Sequence, residues 1–145
     1  MKKEVFKHEI IILKNTYIRL LRRNAKTNLV KLIKKTHPAD LAIVFRYFDD
    51  EQQSEIFKLM KNDEHTLEFL IELDDVFIGK LLNLESPERI TKIIQDASAN
   101  DQSYIISALE NKNAESVISQ LNIEEKEEVQ EIMAYPDDSA GALMA

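Results

Sequence analysis

The 145-residue chain contains no cysteine, only two glycines and three prolines, and no long apolar run. Without cysteine, disulfide bonds, thiolate zinc sites and a cysteine nucleophile are all excluded. Two glycines leave little room for a glycine-rich loop that could hold a phosphate group. No apolar stretch approaches the roughly 20 residues of a membrane span, and no secretory signal is present.

Catalytic motifs are also missing. The three histidines, His8, His37 and His65, are widely spaced, so no His-x-x-x-His pair exists to bind zinc. No Gly-x-Ser-x-Gly, Walker-type or dinucleotide-binding pattern occurs. The sequence therefore argues against an enzyme.

What the chain does contain is a repeat of about twelve residues through its last hundred positions. An apolar residue recurs at intervals of twelve, with one interval of thirteen, at Val44, Ile56, Phe69, Leu81, Ile93, Ile105, Val117 and Val129. The next residue is also apolar in every unit except the last, and a further apolar residue commonly lies three positions later. A fixed period of this kind indicates stacked supersecondary units.

The spacing within each unit predicts helices. Apolar residues at i, i+1 and i+4, often with another at i−3, fall on one helical stripe and fit no strand alternation. Twelve residues accommodate a helix of two to three turns and a tight connection, and such helices are stable only when packed together. The sequence therefore predicts an all-α superhelical solenoid of short helices over residues 37–134.

Helix starts are marked by capping residues and acidic first turns. Ser86-Pro87-Glu88 has the order of an N-cap, an N1 proline and an acidic residue, and Asp49-Asp50-Glu51 gives a similar start. His37-Pro38 begins the first unit. Four further N-caps are predicted at comparable phases: Asp74, Ser98, Asn113 and Asn122.

Residues 1–36 differ from the rest of the chain in the sign of their net charge. This segment holds eleven basic and two acidic residues, whereas the remainder holds eight basic and twenty-four acidic ones. Its apolar spacing predicts one long or two shorter amphipathic helices. A basic amphipathic helix can lie on anionic lipid or nucleic acid, but we favour the interpretation that it covers one end of the repeat array. Nucleic acid is disfavoured because the acidic body repels phosphate.

Two segments carry a resemblance to a known family. His37-Pro38-Ala39-Asp40-Leu41-Ala42 resembles the start of the cytoplasmic N-terminal domain of MgtE magnesium transporters and channels. Residues 135–144, Tyr-Pro-Asp-Asp-Ser-Ala-Gly-Ala-Leu-Met, are similar to the family's link to a pair of CBS domains. On this basis we divide the chain into a basic segment, 1–36, an MgtE-like repeat domain, 37–134, and a hinge, 135–145, leading into a CBS pair that we expect to follow.

The resemblance implies a regulatory domain at the cytoplasmic face of a membrane transporter. In that family the full protein is a homodimer with a five-helix transmembrane pore. Magnesium ions bind weakly between the acidic N-terminal domain and the CBS pair, which closes the pore. The implied partners are thus the CBS pair and the transmembrane domain of the same chain. Neither nucleic acid nor direct membrane contact by this fragment is expected, and the transported ion is left open between magnesium, cobalt and other divalent ions.

Site residues carry over only in part. The resemblance implies metal contacts at Glu68 and Asp101, whereas Asn100 and Tyr104 stand where the two principal family aspartates align. The implied hinge residues are Tyr135, Pro136, Asp137, Asp138 and Gly141.

Two other classes remain open from the residues. A histidine-proline followed by an apolar helix also opens the armadillo-like arrays of FliG-type flagellar motor proteins, which are interaction scaffolds. A membrane-docking adaptor that uses the basic segment is the other alternative.

Overall fold

A computed structural model of the chain describes the backbone of residues 2–134 and the side chains of residues 8–134. Over this range the secondary structure is entirely helical, without a strand, as predicted. The helices are α1 Lys2–Arg22, α2 Lys26–Lys35, α3 Pro38–Phe45, α4 Asp50–Leu59, α5 Asp63–Ile71, α6 Asp75–Leu82, α7 Pro87–Ile94, α8 Ala99–Ser107, α9 Asn111–Gln120 and α10 Ile123–Met133.

The twelve-residue stripe forms the core. All eight residues of the recurring position, from Val44 to Val129, are at most 6% exposed. The neighbouring position is equally buried from Phe45 to Ile106, half-buried at Ile118, and exposed at Gln130, the one polar residue of the series. The periodicity therefore identifies the buried face of each helix, while the superhelical arrangement of these helices remains a prediction.

Most predicted N-caps are confirmed. The side chains of Asp49, Asp74, Ser86, Ser98 and Asn122 each accept a hydrogen bond from a backbone N–H in the first turn of the following helix. His37 caps α3 by accepting from the Ala39 backbone N–H at 3.2 Å. Each cap satisfies a backbone donor that the helix itself leaves unpaired.

The prediction for Asn113 is wrong. This residue lies inside α9, whose N-cap is Glu110, and Glu110 makes no side-chain capping bond. Instead, Asn83 Oδ1 accepts from the Glu110 backbone N–H at 3.1 Å and from Asn113 Nδ2 at 2.9 Å. The start of α9 is thus capped by a residue 27 positions earlier, which a local capping pattern does not reveal.

The basic segment forms two helices rather than one. Asn24 separates α1 from α2 with a φ of 55°, and asparagine tolerates this left-handed conformation better than most residues. The Ala25 N–H bonds the Leu20 carbonyl and the Asn24 N–H bonds the Leu21 carbonyl, both at 3.0 Å. These two bonds form a Schellman motif, which ends α1.

Helix α1 packs against α2 and α3. Tyr17 is fully buried, its hydroxyl lies 2.8 Å from Thr36 Oγ1, and its ring meets the Phe48 ring edge-on at 5.8 Å. This contact is the one expected if the basic segment covers the start of the repeats.

The chain divides into two compact units, residues 1–73 and residues 74–145. In the first unit the packed pairs include α1 with α3, α2 with α4, and α3 with α5. In the second, α6 packs with α8, α7 with α9, and α8 with α10. Helices two apart in the chain are therefore neighbours inside each unit.

Glycine permits one of these contacts. A Cβ atom placed on Gly79 of α6 would lie 2.7 Å from the carbonyl oxygen of Ala108, at the end of α8. Since that atom belongs to the backbone, only glycine fits at this distance without movement.

Candidate functional site: an acidic surface on residues 74–134

The acidic excess is concentrated in the second unit. Residues 1–73 contain fourteen basic and eleven acidic residues, whereas residues 74–134 contain five basic and thirteen acidic ones. The second range therefore has a formal net charge of minus eight. Such a surface attracts cations and repels other acidic surfaces.

The acidic residues lie largely at helix starts. Asp75 begins α6, Glu88 lies in the first turn of α7, Asp101 in that of α8, and Glu124 and Glu125 in that of α10. Carboxylates at these positions interact favourably with the positive end of the helix dipole. The fold thus stabilises a set of surface carboxylates without pairing each one with a basic side chain.

Tyr104 of α8 lies within the electrostatic field of the start of α6. Its pKa is raised above the usual value of 10.0, first by partial burial and then by the charges of Asp75 and Asp74. The side chain is 40% exposed. Because α6 and α8 pack together, two carboxylates and a neutral phenol share one part of the surface.

Asp101, one of the two metal ligands implied by the resemblance, is half-buried one turn before Tyr104. Its backbone N–H donates to Ser98 Oγ at 3.1 Å. Asn100, which aligns with a family aspartate, is exposed beside it. The first turn of α8 therefore presents one carboxylate, one amide and, at its end, the Tyr104 phenol.

Glu68, the other implied metal ligand, belongs to the first unit. It lies in α5 with an exposed side chain. The hinge predicted at Tyr135, Pro136, Asp137, Asp138 and Gly141 lies outside the described residues.

Sequence reasoning assigned no role to Asp74 and Asp75 beyond a helix start, yet these are the carboxylates that act on Tyr104. The relevant signal is their separation from Tyr104 along the sequence, 29 and 30 residues, or about two and a half repeat units. That distance becomes meaningful only once helices two apart are known to pack together.

No complete metal site is present in the part of the chain that the structure describes. Among those residues, no three His, Asp or Glu side chains are grouped closely enough to hold an ion. The same residues include no helix that is both long and apolar enough to cross a membrane.

Comparison with known proteins identifies the family of the sequence. The model of the MgtE intracellular N domain matches residues 36–138. The chain belongs to this family. The MgtE match favours the transporter-domain interpretation of the sequence over a flagellar-motor-like scaffold. No curated protein matches the sequence.

A solved structure supports the MgtE fold. The crystal structure of the soluble part of a magnesium transporter superposes with a TM-score of 0.71 at 14% sequence identity. The alignment covers 92% of this chain and 52% of that one, so the present chain spans about half the length of its structural relative. At this identity the likeness shows the fold alone.

Proposed function

We propose that this MgtE N domain is the magnesium-sensing regulatory domain of a magnesium transporter and acts at the cytoplasmic face of the membrane. Its acidic surface would face a CBS pair in the same chain. The observation that carries the proposal is the net charge of minus eight on residues 74–134, collected at helix starts in a domain of this family. Two acidic surfaces of this kind repel until cations lie between them.

The available donors suit magnesium as half of a shared site. Magnesium prefers oxygen ligands, keeps several of its waters, and commonly takes only one or two carboxylates from a protein. Asp74, Asp75 and Asp101 supply such carboxylates on α6 and α8, and no group of three lies among the described residues. A bound ion would supply positive charge that offsets the repulsion between the two domains.

The chain's own residues then set how strongly the interface responds. Asn100 and Tyr104 remove two negative charges relative to the family pattern, and burial together with the Asp75 and Asp74 charges raises the pKa of the Tyr104 phenol further from neutrality. Asp74 and Asp75 lie close enough to Tyr104 to compensate in part. Glu68 on α5 is proposed as a separate contact towards the CBS side. Movement between the domains is proposed to occur at the hinge residues, Tyr135, Pro136, Asp137, Asp138 and Gly141.

The test uses the chain extended at its C terminus by the residues that its gene encodes next. Small-angle X-ray scattering would follow the radius of gyration as magnesium is added, with cobalt as a second ion. We expect compaction at millimolar magnesium, and we expect Asp74→Asn/Asp75→Asn to require a higher concentration. Asparagine caps helices as well as aspartate does, so this variant changes charge while preserving the start of α6.

The matched control is Glu127→Gln/Glu128→Gln, which removes the same charge from exposed positions of α10. It should leave the magnesium midpoint nearly unchanged. Compaction that is independent of magnesium, or a gene without a CBS pair, would contradict the proposal. An equal shift by both double variants would contradict the assignment of the shared site to Asp74 and Asp75.

A further inference from the structure

The first unit contains a pocket of about 360 Å³ between α2, the end of α4 and the start of α5. Its apolar lining comes from four side chains, Val30, Ile33, Leu59 and Met60. The volume falls at the lower end of the range for small-molecule sites, which are largely apolar with a few convergent polar groups. The cavity can therefore hold the apolar part of a small molecule.

The polar lining of this pocket is basic. Lys34 from α2, Lys61 from the turn before α5 and His65 from α5 all line it. Among the residues whose side chains the structure describes, no carboxylate lines the pocket, although Asp63 and Glu64 are adjacent in sequence. In a chain with a net charge of minus seven, a cavity whose described ionisable side chains are all basic selects for anions.

The other two polar residues of the pocket are already engaged. Asn62 Oδ1 accepts from the His65 backbone N–H at 2.9 Å, and Thr66 Oγ1 donates to the Asn62 carbonyl at 2.8 Å. These bonds fix the backbone at the start of α5, from which the His65 side chain extends to the pocket.

His65 itself has an unsatisfied polar atom. Its Nε2 is buried and has no hydrogen-bond partner among the described residues. Buried polar atoms in folded proteins are nearly always paired, so an orphaned one calls for an explanation. The atom is closed to a water-sized oxygen in this structure, so a ligand in the pocket becomes its partner when the imidazole turns towards the pocket.

We propose that this pocket binds a small organic anion, a phosphate monoester or a carboxylate, with an apolar body. The apolar body would occupy the space lined by Val30, Ile33, Leu59 and Met60. The anionic group would pair with the ammonium groups of Lys34 and Lys61 and, once the imidazole turns towards the pocket, accept a hydrogen bond from His65 Nε2. The site is separate from the acidic surface and does not depend on the magnesium proposal.

The test uses phenyl phosphate as the probe, added to the 145-residue chain at neutral pH. Side-chain nitrogen NMR of the histidines would report on His65, with His8 and His37 as internal references. We expect saturable chemical-shift changes at His65. Inorganic phosphate, which lacks the apolar body, and benzyl alcohol, which lacks the anionic group, should each bind more weakly by about tenfold or more.

Two matched variants separate the pocket from general electrostatics. Lys34→Gln/Lys61→Gln should weaken phenyl phosphate binding about tenfold, the scale of losing charge-assisted hydrogen bonds. Lys31→Gln/Lys58→Gln removes the same charge from exposed positions that do not line the pocket, and should change binding by less than about twofold. Helical circular dichroism would verify that both variants fold.

Several results would overturn the proposal. One is the absence of His65 shifts at about 10 mM phenyl phosphate, because a specific small-molecule site should bind more tightly than that. Another is an equal loss of phenyl phosphate binding in the two double variants. Binding to vesicles of phosphatidylcholine and phosphatidic acid without a response to free phenyl phosphate would assign the lysines to a lipid headgroup and would likewise overturn it.

Discussion

The two compact units follow the same twelve-residue pattern but fill their cores with different side chains. In the first unit the buried side chains include five aromatic ones, Tyr17, Phe45, Phe48, Phe57 and Phe69. Three edge-on ring contacts join four of these, with ring centroids 5.0 to 6.0 Å apart. Over residues 74–134 the aromatic residues are Phe77 and Tyr104, neither of them fully buried, and isoleucine, leucine and valine fill the core. The repeat thus specifies which positions must be apolar, but not whether their side chains are aromatic or aliphatic.

The surfaces of the two units differ as well. Residues 1–73 are slightly basic and contain the Lys34, Lys61 and His65 pocket, whereas residues 74–134 are strongly acidic. Because the apolar pattern is the same in both, surface charge can change without loss of the fold. The proposed cation and anion chemistries are accordingly assigned to different units.

Both cores contain a buried glutamine at the same position of the repeat. Gln53 and Gln102 both lie three residues before the recurring apolar position, and both are buried. Gln53 Nε2 donates to the Phe45 carbonyl at 3.2 Å, and Gln102 Nε2 donates to the Ile94 carbonyl at 2.8 Å. Each amide satisfies the end of the preceding helix of the array. They differ in that Gln102 also donates to Glu125 Oε2 at 3.0 Å, while Gln53 Oε1 has no partner in the described part of the chain.

The largest expected effect is the loss of the aliphatic core. Ile105→Asp places a charge at a position that is 0% exposed, and Ile93→Asp does so at one that is 3% exposed. An unpaired buried charge should cost more than about 4 kcal/mol and abolish cooperative folding. Far-ultraviolet circular dichroism and thermal melting measure this effect.

Asn100→Asp is the control for this prediction, because it adds the same charge to an exposed position of α8. It should melt like the parent chain. An Ile105→Asp variant with unchanged helicity and melting would show that the buried stripe has been assigned to the wrong face.

The next prediction compares the two buried glutamines. Gln102→Leu leaves the Ile94 carbonyl without this donor and removes a hydrogen bond to a carboxylate, so we expect a loss of about 2–3 kcal/mol in the free energy of unfolding. Gln53→Leu should cost less, about 1–2 kcal/mol, since it also removes the unsatisfied Gln53 Oε1. Urea denaturation of both variants measures the difference. The reverse order would mean that the Glu125 contact adds no stability.

A smaller effect is expected at Gly79, in the only helix of the described range that contains a glycine. Gly79→Ala would normally stabilise a helix by up to about 1 kcal/mol. Here the new Cβ would meet the Ala108 carbonyl, and the required movement should reverse the sign, giving a net loss of about 1–2 kcal/mol. A stabilised variant would show that α6 and α8 are not in such close contact.

The smallest effect concerns the aromatic core and depends on pH. Burial raises the pKa of Tyr17 to about 12, with the Thr36 hydrogen bond partly opposing the shift. Because the folded state holds the proton more tightly than the unfolded chain, this contribution is complete below pH 10 and declines as pH rises towards 12. Tyr17→Phe should cost about 1 kcal/mol at neutral pH through the lost hydrogen bond to Thr36.

The Tyr17→Phe variant should also lose stability less steeply than the parent chain between pH 10 and pH 12. Denaturant unfolding across this range would detect the difference. Equal alkaline slopes in the two proteins would contradict the burial effect on Tyr17.

Much of the local structure could be predicted from the sequence because it depends on neighbours within one helical turn. The apolar stripe and the caps at Asp49, Ser86 and Asn122 are of this kind. Asn113 was assigned wrongly because Asn83 reaches the start of α9 from another helix. The burial of Gln53 and Gln102 could not be predicted from the sequence, because it depends on backbone carbonyls of the preceding helix that accept their hydrogen bonds.

The candidate sites were less predictable for the same reason. Asp74 and Asp75 affect Tyr104 because α6 packs against α8, and the basic pocket combines residues from α2 and α5. Neither juxtaposition follows from local spacing. Glu68 and Asp101 are implied by the MgtE resemblance alone, and they remain proposals for the metal interface.

A magnesium titration of the 145-residue chain, followed by backbone amide NMR, tests the central claim most directly. If half of each site belongs to another domain, shifts should concentrate at Asp74, Asp75 and Asp101, with a midpoint at millimolar concentration. A partial site leaves most of the ion's waters in place and should therefore bind magnesium weakly. Saturation below about 0.1 mM would mean an affinity too high for such a site. That result, or the absence of shifts on α6 and α8, would contradict a magnesium-sensing surface shared with a second domain.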